Sequence, residues 1–528
     1  MAEETRLPRS RLARNTALFS LATAGSRVAG LAREIVIRAL FGVEGSINAF
    51  TVAFQIPSLV RALVADIALS SALIPVLSDL LERGDRARAW RVASSVLWLM
   101  LLALSALTAL FIVFAPWIMR PFGYTGAEEE LVVGLSRILF PTVALLGVSG
   151  VIVGILNTYD HFTVPALAPI LWNVTIIAAL AIGVPFLETE SSQLYLYAIA
   201  VLAGTLIQVM LPLPWLRGLD DRIRPIIDWR DPAVRRVFKL MIPVTVGIGL
   251  INVNLVVDTF FAARFVDKNL APAAIDAAFR IYMLPQGIFS VAIAAVLFPT
   301  MARLAARVDM TGFHDTVVRG LRQIGFMLIP ASVIGAVLAE PMVRLLYERG
   351  EFTATNTTVV AGTFAAFCVG LTFNGTLLLL NRAFFSLQLA SIAMVAALGN
   401  VALNVGFDAA FYRVGVWGIP LATSIVNVLG TLALILLLRD RLGRFELWEV
   451  GSTYLRVLAA GAVAAGAAFG AWYGVDEAVG RSLFGQIVSL GVALSVGAST
   501  YLILARLLGI RELDALLSLI GRGSDPFE

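Results

Sequence analysis

Cysteine, histidine and lysine are nearly absent from this 528-residue chain. With one cysteine, Cys368, and two histidines, His161 and His314, no disulfide framework can form and no ligand spacing for a structural metal exists. Cys368 sits in an apolar run and reads as packing, and the histidines read as surface loop residues. Neither of the two lysines, Lys239 and Lys268, follows a glycine, which removes the phosphate-binding loop of an ATPase. Nucleophile-elbow, zinc-helix and kinase signatures are missing as well. Charge is scarce: Asp, Glu, Lys and Arg make up 14% of the chain, against roughly a quarter in an ordinary soluble domain. With 59% hydrophobic residues and a net charge of only +4, the composition excludes a soluble fold, a nucleic-acid binder and a disordered tail.

What is abundant is apolar sequence in long runs. About 20 apolar residues carry a helix across a bilayer, and fourteen such runs follow one another, with cores near 16–40, 47–79, 92–115, 131–155, 164–186, 194–216, 237–262, 276–302, 317–340, 356–381, 387–411, 416–438, 453–474 and 482–505. The first follows Arg6, Arg9, Arg11 and Arg14 but continues through Arg27, Arg33 and Arg38, so it reads as a retained span rather than a cleaved leader. Basic residues concentrate in cytoplasmic loops of membrane proteins. With a cytoplasmic N-terminus, 27 of the 40 basic residues fall in cytoplasmic segments, 7 in external ones and 6 within spans. The expectation is a multi-pass membrane protein with both termini cytoplasmic.

An internal repeat organises the spans. Ala49 to Leu80 and Ala278 to Leu304 both begin Ala-Phe, carry an early proline (Pro57, Pro285) and a late one, in ALIPVLSDL and VLFPTMARL. APWIMRPF at 115–122 parallels EPMVRLLY at 340–347. Spans one to six and seven to twelve thus read as two copies of a six-helix unit, in parallel orientation because six is even. The predicted fold is all-α and polytopic: an N-terminal lobe over residues 1–218, a C-terminal lobe over 219–440, and two further spans with a cytoplasmic tail over 441–528. Proline and small residues, Gly25, Ser26 and Gly30 among them, predict either kinks or close helix packing.

Charges inside spans are costly, at least about 2.5 to 3.5 kcal/mol for arginine at the bilayer centre, and therefore informative. Arg27 lies about 16 Å into the first span at roughly 1.5 Å per residue, near the midplane. Arg33, Glu34, Arg61, Asp66 and Arg280 join it, with Arg61 and Arg280 beside the repeat prolines. Guanidinium forks match phosphate and carboxylate oxygens, so the set predicts an anionic substrate, a diphosphate being a natural fit. The alternative is that Glu34, Asp66 or Asp276 pairs with these arginines and braces the bundle. A second set, Asp258, Asn400, Asn404 and Thr423, offers oxygen ligands for a small cation or, equally, hydrogen bonds between helices.

Several stretches, NTALFSLATAGSRVAGLAREIVIRALFG, NAFTVAFQIPSLVRALVADIALSSALIPVLSDL, LPQGIFSVAIAAVLFPTMARL, GILNTYDHFTVPALAPILWN, LLYERGEFTATNT and NRAFFSLQ, closely resemble the MurJ/MviN lipid II flippases of the multidrug/oligosaccharidyl-lipid/polysaccharide exporter superfamily. The resemblance spans residues 14 to 440. It implies two six-helix lobes around a central cavity, spans 13 and 14 as a groove for a lipid tail, and transport of lipid II from the inner to the outer leaflet by alternating access, without covalent chemistry. It implies substrate contacts at Arg27, Arg33, Arg61, Arg280, Asn48 and Asp66, Asn48 standing where some members have aspartate. It also implies a sodium site at Asp258, Asn400, Asn404 and Thr423 with a carbonyl near Ile419, Asn404 replacing an acid present in some members. No other cofactor is expected, and the expected partners are lipid II, the membrane and peptidoglycan-synthesis enzymes. The competing readings are an exporter of another lipid-linked oligosaccharide and a non-transporting cell-wall scaffold.

Overall fold

The computed structural model describes residues 9–64, 68–442 and 447–514. These residues form helices joined by short turns, with no strand among them. Packing divides the chain into two units, Met1–Arg264 with Lys268–Pro272, and Phe265–Asp267 with Ala273–Glu528.

The first unit comprises α1 (Arg9–Phe41), α2 (Ile47–Val64), α3 (Ala68–Glu82), α4 (Arg86–Met119), α5 (Ala127–Leu139), α6 (Pro141–Thr158), α7 (Thr163–Gly183), α8 (Glu190–Met210) and α9 (Pro232–Phe261). The second predicted span falls on α2 and α3. In the fourth, Pro141 has no N–H to continue the ladder and opens α6 at its first position, while Phe140 before it keeps helical dihedrals and the span continues. Asp85 starts α4 by accepting the Arg88 N–H at 3.2 Å. Along α4 the usual polarity is inverted: Leu102, Val113 and Trp117 are 53%, 68% and 68% exposed while Ser94 and Ser95 are buried. Helices solvated by lipid behave this way. The two serines accept the backbone N–H groups of Arg224 and Asp228, each at 3.1 Å, and so strap the segment before α9 onto α4. Asp231 closes that strap: it caps α9 through the Ala233 N–H at 2.8 Å and accepts both Arg88 Nε and Nη2 at 3.1 and 3.0 Å. The Arg88 guanidinium holds the Asp231 carboxyl below its ordinary range, against the opposing effect of burial. The core between α3, α4, α6 and α9 is built on Leu73, Val96, Val151, Ile152 and Val234. By sequence α9 opens the second repeat, yet it packs on α2, α3 and α4.

The second unit takes up most of α10 (Ala271–Pro285), then α11 (Val291–Ala306), α12 (Met310–Val337), α13 (Ala339–Tyr347), α14 (Ala354–Ser386), α15 (Ala390–Phe411), α16 (Gly418–Leu442), α17 (Leu447–Val479) and α18 (Leu483–Leu507). The repeat proline Pro285 ends α10, and a π-helical turn, Gln286–Ser290, links it to α11 within one span. The hairpin of α17 and α18 packs on α12. Phe326, Val457, Ala460 and Tyr501 form that contact, and Tyr501 and Tyr454 donate to the carbonyls of Phe326 and Leu321 at 2.7 and 2.9 Å. Cys368 is buried in α14, as expected of a packing residue. His161 is an exposed turn residue, whereas His314 is not in a loop: it lies in the first turns of α12 beside Asp315, its side chain 17% exposed.

Among the described residues, eleven helices or helix pairs are long and apolar enough to cross a membrane by themselves. The other three predicted spans fall on α1, which carries Arg27, Arg33, Glu34 and Arg38, on α2 and α3, and on α9. The chain is an all-helical membrane protein of about fourteen spans.

Candidate functional site

The cationic row of the first span is set by how α1 packs on α7. A Cβ at Gly25 would meet Ile170 Cδ1 at 3.3 Å, and one at Gly30 would meet Asn173 Oδ1 at 4.0 Å. The small residues therefore serve close packing of two continuous helices, not a hinge. That contact delivers Trp172 to Arg33, whose guanidinium carbon stands 4.6 Å from the ring centroid. Trp172 is held in turn by its Nε1–H, which donates to Thr205 Oγ1 at 3.1 Å.

Arg33, Glu34 and Arg38 are 8%, 6% and 2% exposed. Glu34 accepts from Arg33 Nη2 at 2.6 Å and lies 3.8 Å from Arg38 Nη2, four residues on. One carboxylate thus serves two guanidiniums, and the bracing alternative is realised for Arg33. Arg27 differs. It is exposed, 14 residues before the C-terminal end of α1, and among the described residues no carboxylate lies within ion-pair distance of it.

Arg61, in the last turn of α2, is exposed, and Asp66 lies outside the described residues. Asn48 is fully buried; its amide donates to the carbonyls of Val43 and Gly45 at 2.9 and 3.1 Å, bracing the turn into α2. That turn needs Gly45 at φ +74 and is tied to α8 by Glu190, which accepts from the Ser46 N–H and hydroxyl at 3.1 and 3.0 Å.

In the second unit Arg280 lies on α10, one turn after Asp276 and 3.1 Å from it, with 41% of its side chain exposed. Of the predicted cation set, Asp258 belongs to the first unit and is 3% exposed, while Asn400, Asn404 and Thr423 belong to the second. Asn404 is fully buried and its Nδ2 donates to Asp408 Oδ2 at 3.1 Å. Thr423 Oγ1 reaches the Ile419 carbonyl at 3.4 Å, and Asn400 packs against Gly430. Asp408, fully buried, is the acid that reading of the sequence missed. Its signal was available, since residues 400, 404 and 408 recur at one-turn spacing on one face of α15. Asn404, Asp408, Thr423 and the Ile419 carbonyl present hard oxygen donors, which suit a small cation. Among the described residues no three His, Cys, Asp or Glu side chains cluster as a metal site.

A further polar chain carried no sequence signal. Gln286, in the π turn, bonds to Asn374 of α14, whose Nδ2 lies 3.4 Å from Asn427 Oδ1 of α16. π turns inside helices occur frequently at functional positions.

Comparison with known proteins agrees with this architecture. The family model described as lipid II flippase MurJ matches residues 37–485. A probable lipid II flippase MurJ of Vibrio cholerae is 30% identical over 96% of this chain and 97% of its own. A solved structure of a lipid II flippase MurJ in an inward closed conformation superposes with a TM-score of 0.76 at 24% identity, covering 93% of this chain and 99% of that one. An inward-facing multidrug resistance transporter of the MATE family superposes with a TM-score of 0.67 at 19% identity, over 80% of this chain and 94% of its own. The intramembrane arginines, the fourteen-span helical fold and a family match across most of the chain converge: this protein belongs to the lipid II flippase MurJ family.

Proposed function

We propose that the chain moves lipid II across the bacterial cytoplasmic membrane by binding its diphosphate through Arg27, Arg33, Arg61 and Arg280, and by alternating access between the leaflets. The observation that carries the reading is Arg27, an exposed cation about 21 Å from the C-terminal end of α1 at 1.5 Å per residue, with no ion-pair partner among the described residues. A charge at that depth is costly in lipid. It is stable where an anionic group or water meets it, and a diphosphate supplies charge-assisted, forked hydrogen bonds. Arg33, stacked on Trp172 and paired with Glu34, is the preorganised member of the set.

No bond is made or broken in this process; the work is differential binding in two states. The membrane field contributes about 2.3 kcal/mol per charge per 100 mV. A sodium ion or proton held among Asn404, Asp408 and Thr423, with Asp258 and Asn400 as the further members of the set, is the proposed coupling element. Asn48 acts by fixing the turn into α2. The basic-residue bias places both termini in the cytoplasm.

The test is depletion of the protein in its host, scored by whether lipid II remains open to an externally added toxin that cleaves it. Wild type restores cleavage, and Arg27→Ala, at the same protein level, does not. Full restoration by Arg27→Ala would remove the proposed site.

A further inference from the structure

Away from the intramembrane arginines, the second unit holds a pocket of about 250 Å³ where the first half of α12, the start of α17 and the residues after α18 meet. Its position is interfacial. Trp448, in the first turn of α17, is 83% exposed, and tryptophan at a helix end marks the headgroup level of a membrane.

The lining is cationic where it is open. Arg322 is spoken for: its side chain, 15% exposed, lies 2.6 Å from Glu512 and 3.4 Å from Glu449. Arg456 and Arg511 also line the pocket, are exposed, and have no carboxylate within ion-pair distance among the described residues. Arg322 is thus held by the two lining carboxylates, while the guanidiniums of Arg456 and Arg511 line the same pocket, with the buried Thr453 beside them. Donors of this kind, without acceptors of their own, match the oxygens of a phosphate.

The flanks identify the source of that phosphate. Leu455 is 66% exposed beside Arg456, and Ile503 and Leu507, 61% and 76% exposed, precede Arg511 by about two turns and one turn. Cations at the level of a tryptophan, with bare leucine and isoleucine next to them, are what an amphiphile with an anionic head requires. We propose that this pocket binds the phosphate headgroup of an anionic membrane lipid through Arg456 and Arg511, with the acyl chains lying along Leu455, Ile503 and Leu507. Arg456 and Arg511 are not among the proposed contacts to the lipid II diphosphate.

Full-length protein in neutral detergent, titrated with phosphatidylglycerol or phosphatidylcholine and read by native mass spectrometry, tests this. Wild type retains phosphatidylglycerol in preference to phosphatidylcholine. The double variant Arg456→Gln/Arg511→Gln weakens that retention about thirtyfold, from roughly fivefold per basic residue at an anionic surface. Glu449→Gln, which removes a repelling charge from the rim, tightens it. Added inorganic phosphate leaves lipid retention intact; displacement by it would reassign the pocket to a soluble phosphate and overturn the lipid source. Equal retention of the two lipids by wild type, or equal retention of phosphatidylglycerol by wild type and double variant, would overturn the site.

Discussion

Arg33 is fixed on two sides, by Glu34 at 2.6 Å and by the Trp172 ring at 4.6 Å, and Trp172 is itself fixed by Thr205. A guanidinium so held loses little freedom when it meets a ligand, which is where preorganisation contributes to binding. A desolvated cation–π contact is worth about 2 kcal/mol, so Trp172→Ala should slow lipid II externalisation about tenfold or more at unchanged protein level. Trp172→Phe should retain most of the rate. Equal rates for Ala and wild type in the toxin-cleavage assay would reduce Trp172 to packing. The arginines were legible in the sequence because a charge within an apolar run has no cheap explanation. Trp172 was not, because an aromatic in an apolar run carries no mark of its partner, which lies more than a hundred residues away. Asp408 was as legible as the arginines by the same argument, being the one charge in the run of α15, one turn beyond Asn404 on the same face.

At the scale of elements, the fourteen runs were legible because lipid demands long apolar helices, and their interruptions only partly so. Pro141 and Pro285 mark where the hydrogen-bond ladders of the fourth and eighth spans are interrupted, but proline alone does not distinguish a single missing bond from a π turn. α13 is the element that sequence left within a connection. This nine-residue helix docks on the α17–α18 hairpin through Arg344, 4% exposed, which donates to Asp476 at 2.7 Å and lies 5.6 Å from the Trp472 ring centroid. Removing one partner of a buried ion pair costs about 3 to 5 kcal/mol, since the remaining charge stays desolvated. Asp476→Ala should therefore lower the thermal midpoint of the detergent-solubilised protein by several degrees. The paired replacement Arg344→Met/Asp476→Leu should recover most of that loss. A double variant melting below Asp476→Ala would show that contacts other than the pair hold α13 to the hairpin.

At the scale of the whole molecule, orientation is a property that no single helix carries. It rests on the sum of basic residues, 27 against 7 across the loops, and each charge near a helix end biases insertion only modestly. The scarcity of cysteine makes this directly measurable. Cys368 is the lone cysteine and is 1% exposed, so the native chain is nearly silent toward thiol reagents. Glu82, at the end of α3, and Glu188, between α7 and α8, are both exposed. They fall in loops assigned to opposite sides. Glu188→Cys should react with a membrane-impermeant maleimide in intact cells, and Glu82→Cys only after lysis. The reverse pattern would invert the topology and, with it, the side from which the lipid is taken. The proposed lipid pocket would move to the opposite leaflet at the same time, because Glu82 and Trp448 lie at loops of the same predicted side. One labelling experiment thus fixes which leaflet the proposed lipid pocket meets and on which side each end of α1 lies.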